Sequence, residues 1–135
     1  METTVKVINN VQFSAETRGH RLISDLPLDG GGADGGMTPP ELMLASLGTC
    51  AAYYVVQYLK FRNLPANDVQ VRVEAEKVKD PVPRVGSFRI FIDAPAALDE
   101  KHREGIRRAA EKCLIHNTLL HAPAIEIEVR QPVAV

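Results

Sequence analysis

The chain of 135 residues contains two cysteines. That is too few for a disulfide-stapled scaffold, and at this length one domain can bury a core without staples. It also lacks an excess of either charge. Sixteen Lys and Arg stand against 17 Asp and Glu, a net charge of −1, so no surface for a polyanion is announced and nucleic acid is not expected as a partner. The N-terminus METTVKVINN has no basic, apolar, small-residue leader, and the expectation is a cytosolic protein. Nor is there an apolar run of membrane length. The longest, Leu42 to Val56, falls short of the about 20 residues that a span needs, so no membrane is expected. Repeats and low-complexity segments are missing too, and residues 1–135 read as a single domain.

What is present is a succession of short patterns. TTVKVINNVQF (3–13) and RGHRLISDLPL (18–28) alternate apolar and polar residues, broken by Asn9, Asn10 and Gly19, which predicts an N-terminal meander of strands. LDGGGADGGM (28–37) has five glycines and no periodicity. It is a loop freed to bend sharply or approach something closely, and it lacks the Lys and Ser or Thr of a phosphate-binding loop.

A helix should then start at Thr38 as cap, with Pro39 at the first helical position and Glu41 completing a capping box. From Leu42 to Val56 it is apolar or small on every side, which demands enclosure by other structure and perhaps by a second subunit. Asn63, Leu64 and Pro65 end it. VQVRVEAEKV (69–78) and SFRIFIDA (87–94) alternate as a hairpin, and Asp99 opens a second helix whose acidic start and basic end suit the helix dipole. Ile106, Ala110 and Cys113 fall on one inward stripe. AIEIEV (124–129) alternates as a final strand. Without the regular alternation of a doubly wound sheet, this order predicts an α+β fold.

The two thiols are Cys50, in the middle of the apolar helix, and Cys113, 63 residues later. Read from the residues alone, inert core cysteines and a functional pair both remain open. In a reducing compartment, a thiol pair points toward redox chemistry. Zinc is a further option, since Cys50, Cys113, His116 and His121 are the right ligand types, but their spacing matches no compact finger.

GGADGGMTPPELMLASLGTCAAYYV together with KCLIHNTL resembles the OsmC/Ohr family of osmotically inducible and organic hydroperoxide resistance proteins, in its OsmC-like branch. The family carries a Gly-rich loop, a T/N-P-x-E/Q-L helix start, one cysteine in that helix and a second in a C-P-x-x-N/H-like segment. The resemblance implies an intertwined homodimer with the central helices enclosed by antiparallel sheets. It also implies a thiol-dependent peroxidase that uses no metal, nucleotide or flavin. Cys50 would be the peroxidatic residue and Cys113 the resolving one, with an organic hydroperoxide as substrate and another thiol as reductant. A cation must hold the Cys50 thiolate, and the family takes an arginine from the N-terminal strands. TRGHRLIS aligns best with Arg18 in that role, with Arg21 as the competitor.

The sequence departs from the family at one point. The glutamate that orients this arginine lies ten residues before the peroxidatic cysteine in the best-known peroxidases, and here that position is Pro40, with Glu41 next to it. Glu41 is then either the orienting carboxylate, shifted by one, or only the capping-box residue. The departure motivates an alternative, a non-catalytic OsmC-like module with an apolar dimer-interface pocket for a small ligand. Tyr53, Tyr54 and Gln57, on the helical face of Cys50, are either plain core or the lining of an apolar pocket suited to organic rather than hydrogen peroxide. His116 and Asn117 are expected to support a helix end.

Overall fold

The computed structural model describes residues 1–95 and 99–132. Three strands open the chain, β1 (Thr4–Asn9), β2 (Gln12–Thr17) and β3 (His20–Ser24), paired antiparallel in the order β1-β2-β3. The meander turns where the sequence supplies residues tolerant of positive φ. Asn10 (φ 53°) leads into β2, and the two-residue turn Arg18–Gly19 (φ 52° and 81°) joins β2 to β3. Positive φ at both positions matches the right-handed twist of the flanking strands.

A short 3₁₀ turn, Leu28–Gly30, begins the glycine loop. The close approach that the glycines permit is to the chain itself. A Cβ on Gly36 would overlap the Ile23 carbonyl, and one on Gly32 the Leu26 carbonyl. The loop returns to the end of β3, where Ser24 Oγ donates to the Met37 carbonyl at 2.9 Å.

Helix α1 (Pro39–Phe61) starts on the expected capping box: Thr38 Oγ1 accepts the Glu41 N–H, and Glu41 Oε2 accepts the Thr38 N–H at 3.2 Å. Strands β4 (Gln70–Val78) and β5 (Arg84–Asp93) form a separate antiparallel hairpin. Val71, Val73 and Ala75 of β4 point inward while Arg72 and Glu74 point out. Gly48 lets β4 come close to α1, since a Cβ there would lie 3.2 Å from Val73 Cγ2. Helix α2 (Glu100–Ala110) is capped by the Asp99 side chain. The core cluster is Ala51, Val55 and Leu59 of α1 against Ile106 and Ala110 of α2.

Three expectations need correction. The helical stripe does not run on to Cys113. Helix α2 stops at Ala110, Cys113 leaves helical geometry (φ −55°, ψ 129°), and a separate helix α3 (Leu114–Leu120) follows. A break that preserves the i, i+4, i+7 spacing leaves the apolar periodicity intact, which is why the pattern did not reveal it. Residues 124–129 are not a strand in this chain. Ile125, Ile127 and Val129 are 81, 88 and 94 % exposed, and alternation alone does not make a strand when the backbone pairs with no neighbour.

Helix α1, finally, is not buried all round. Leu47, Ala51, Val55 and Leu59 form one buried stripe, while Met43, Tyr53 and Phe61 are exposed. Its 23 residues are also long and apolar enough, by length and composition, to cross a membrane, longer than the stretch read from Leu42 to Val56. In this chain the buried stripe is packed against protein, with α1 meeting β4, α2 and α3.

Candidate active site

Cys50 lies halfway along α1, beside the buried stripe, and is half-buried. Cys113 is fully buried at the α2–α3 junction. α1 packs on both α2 and α3, and the Cys50 and Cys113 side chains adjoin although 63 residues separate them. Both are reduced. Burial, and after it the adjoining Cys50 side chain, pushes the Cys113 thiol above its ordinary value, while the backbone N–H groups of His116 and Ile115 act the other way. The His116 N–H donates to Cys113 Sγ at 3.3 Å, so the thiol doubles as the cap of α3. The pair therefore has a half-buried and a fully buried member. The more accessible thiol is suited to meet a reagent from solvent, and the buried one to be attacked from within.

The other expected site residues lie elsewhere. Arg18 sits exposed at the β2–β3 hairpin tip. Arg21 is exposed on β3 and faces Glu16 across the strands at 3.8 Å. Among the described residues, no hydrogen bond or ion pair joins either arginine to Cys50. Glu41 spends its carboxylate on the capping box. Nine residues at about 100° each also put it roughly opposite Cys50 on the helix.

Asn117 and His116 belong to α3, and the Asn117 carbonyl accepts the His121 N–H at 3.0 Å at the end of that helix. Among the described residues, no three His, Cys, Asp or Glu side chains gather as a metal site. Tyr53, Tyr54 and Gln57 do line a depression of about 370 Å³, together with Tyr58 and Phe61. Cys50 is not in its wall.

Two arrangements escaped the sequence reading. Asp25 is buried, and its carboxylate accepts the N–H groups of Leu26, Ala33 and Gly35 and the Gln12 side-chain amide. The Gly35 N–H, more than any other partner, holds its pKa below the usual carboxylate value. Asp25 thus folds the glycine loop onto β2 and β3 and sets where α1 begins. An aspartate five residues ahead of a glycine run was the available signal. The second is a contact between helices: Tyr58 Oη lies 3.1 Å from His102 Nδ1 and occupies the space a Gly105 side chain would need. No local pattern marks it.

This order of meander, glycine loop, long helix, hairpin and paired short helices defines an α+β fold of the OsmC-like kind. A protein of Psychrobacter arcticus 273-4 whose name refers to osmotic stress and detoxification response superposes with a TM-score of 0.77 at 21% identity, over 86% of this chain and 85% of that one. An OsmC-like protein from Mycoplasma pneumoniae gives 0.74 at 17% identity, over 90% and 87%. An organic hydroperoxide resistance protein OsmC from Legionella pneumophila gives 0.62 at 20% identity, over 88% and 89%. No curated protein matches the chain. Residues 31–128 match the family described as OsmC-like protein, and the chain belongs to that family.

Proposed function

We propose that the protein is a thiol-dependent peroxidase of organic hydroperoxides, working in the cytosol as a homodimer. One observation carries this reading: two cysteines far apart in sequence come together across the core, Cys50 the more accessible and Cys113 sheltered behind it. The Cys50 thiolate attacks the terminal oxygen of ROOH. The O–O bond breaks, ROH leaves with a proton, and Cys50 becomes a sulfenic acid. The Cys113 sulfur then displaces hydroxide from the Cys50 sulfur, giving a disulfide and water, and a second thiol reductant returns both cysteines to thiols. The name of the Legionella relative supports the substrate class.

The thiolate needs a cation, because an unassisted cysteine ionises at about 8.5. Arg18 is the proposed source, delivered from the hairpin of a second copy. Support for the dimer comes from exposed apolar surface on α1 and from the unpaired alternating segment 124–129, suited to add to a sheet edge of the other copy. Glu41 acts in this reading as a helix cap and not as the partner of Arg18. The test is turnover of cumene hydroperoxide with dithiothreitol by Cys50→Ser, Cys113→Ser and Arg18→Ala. Cys50→Ser should abolish it, Cys113→Ser should leave a sulfenic acid that dimedone traps, and Arg18→Ala should shift the pH dependence upward. Undiminished turnover by Cys50→Ser would end the proposal.

A further inference from the structure

Besides the thiols, the molecule holds a side chain equipped to give up an electron. Of the three tyrosines, only Tyr58 has a hydrogen-bond partner for its hydroxyl among the described residues, His102 Nδ1 at 3.1 Å. Tyr53 and Tyr54 pack edge to face with ring centres 5.1 Å apart, and neither hydroxyl meets a base. Helix α2 is shaped around the Tyr58 contact. It carries glycine at 105, where a Cβ would fall on the Tyr58 hydroxyl, and the Asp99 carboxylate holds His102 in place by accepting its backbone N–H at 2.7 Å. With the phenol as donor, Nδ1 is the unprotonated nitrogen of the imidazole. Nε2 then carries the hydrogen and lies 3.8 Å from the Asp99 carboxylate.

Cys50, Tyr54 and Tyr58 stand four residues apart in succession on α1. They form one ridge that rises about 6 Å per step. The ridge leads from the more accessible thiol, through the half-buried ring of Tyr54, to the pair of Tyr58 and His102. Charge decides what can happen at its far end. The Arg62 guanidinium lies 3.8 Å from the centre of the Tyr58 ring, and Lys101, Arg108 and Lys112 border the same depression. Such a positive field opposes a tyrosine cation radical. It favours loss of the electron together with the phenolic proton, for which His102 is the acceptor in reach. The imidazolium so formed faces the Asp99 carboxylate, which offsets the field.

We propose that Tyr58 is where the unpaired electron comes to rest when Cys50 is oxidised by an organic peroxyl radical. The peroxyl radical takes the hydrogen atom of Cys50: the S–H bond breaks, an O–H bond forms, and a hydroperoxide leaves behind a thiyl radical. An electron then passes from Tyr58 by way of Tyr54 to the sulfur. Cys50 becomes a thiolate, the Tyr58 proton moves to His102 Nδ1, and a phenoxyl radical remains. A soluble one-electron donor of the ascorbate class returns it to the phenol as His102 gives the proton back. Tyr54 has no acceptor for its own proton and passes the electron on. The inference needs Cys50 to be the accessible thiol but no hydroperoxide turnover, and transfer along the helix does not depend on what covers its outer face.

Electron paramagnetic resonance of the full chain, freeze-quenched while an azo initiator generates peroxyl radicals in aerated buffer, tests it. A tyrosyl signal should appear, narrow when the tyrosines are ring-deuterated, and show in heavy water a coupling to an exchangeable deuteron held by His102. Tyr58→Phe keeps the ring and its packing and should lose the signal, and Cys50→Ser should lose most of it. Turnover of cumene hydroperoxide by Tyr58→Phe should be unchanged, so this inference and the peroxidase reading fail separately. No tyrosyl signal in the unaltered chain, a signal that survives Tyr58→Phe, an undiminished one in Cys50→Ser, or a radical without the exchangeable coupling would each overturn the proposal.

Discussion

Gly105 sits in the middle of α2, where intrinsic propensity favours alanine over glycine by about 1 kcal/mol. On helix preference alone, Gly105→Ala should stabilise the protein. The packing says otherwise, because an added Cβ would fall on the Tyr58 hydroxyl and ring edge, and Tyr58 is held by His102 on one side and Arg62 on the other. Forcing a methyl group into such a contact costs about 1–3 kcal/mol, and pushing the Tyr58 hydroxyl away from His102 costs about 1 more. The net expectation is a loss of about 1–3 kcal/mol once the propensity gain is subtracted. For a chain of this size that is a fall in Tm of roughly 3–10 °C. Urea unfolding followed by circular dichroism, at one fixed protein concentration so that association does not enter, measures it. In a Tyr58→Leu background the clash is gone and the same substitution should become neutral or stabilising. A stabilised Gly105→Ala single variant would refute the α1–α2 geometry described here.

Three further outcomes are expected. Asp25 has a folded pKa below its unfolded value, so the unfolded chain binds the proton more readily. Its contribution is full at neutral pH and disappears as pH falls below the ordinary carboxylate value of about 3.9 toward the lowered one. Asp25→Asn should melt lower at pH 7 and show a flatter acid limb in melting curves taken against pH. Glu41→Ala should lose about 1 kcal/mol of stability in urea unfolding by removing half of the capping box, and change hydroperoxide turnover by less than about twofold, since only a transition-state contact would cost more. Removal of residues 122–132 should leave a monomer in light scattering, because it takes away the unpaired apolar segment proposed to complete the partner's sheet.

Much of this architecture was legible because it is local. The capping box of Thr38 and Glu41, the strands alternating between Gln70 and Val78, and the Asp99 cap each involve residues within a few positions of one another, where propensity and patterning act directly. The α+β class followed from their order. What escaped depends on distant partners. Tyr58 and His102 are 44 residues apart, and Asp25 gathers donors from Gln12 to Gly35. The break between α2 and α3 kept the apolar spacing of a single helix. The segment at 124–129 has the alternation of a strand but, among the described residues, pairs with none. At the site, the two cysteines could be picked out of the sequence, but that their side chains adjoin could not. Nor could the exposed positions of Arg18 and Arg21, because the meander that carries them is a separate sheet from β4 and β5.

The central claim is that Cys50 and Cys113 act on one another. Intact-mass analysis with thiol titration, before and after one equivalent of cumene hydroperoxide and without reductant, tests it most directly. The account predicts loss of both titratable thiols, a mass lower by two hydrogens, and a tryptic peptide pair joining Cys50 to Cys113, with Cys50→Ser keeping its remaining thiol. Two thiols persisting in the peroxide-treated protein would contradict it.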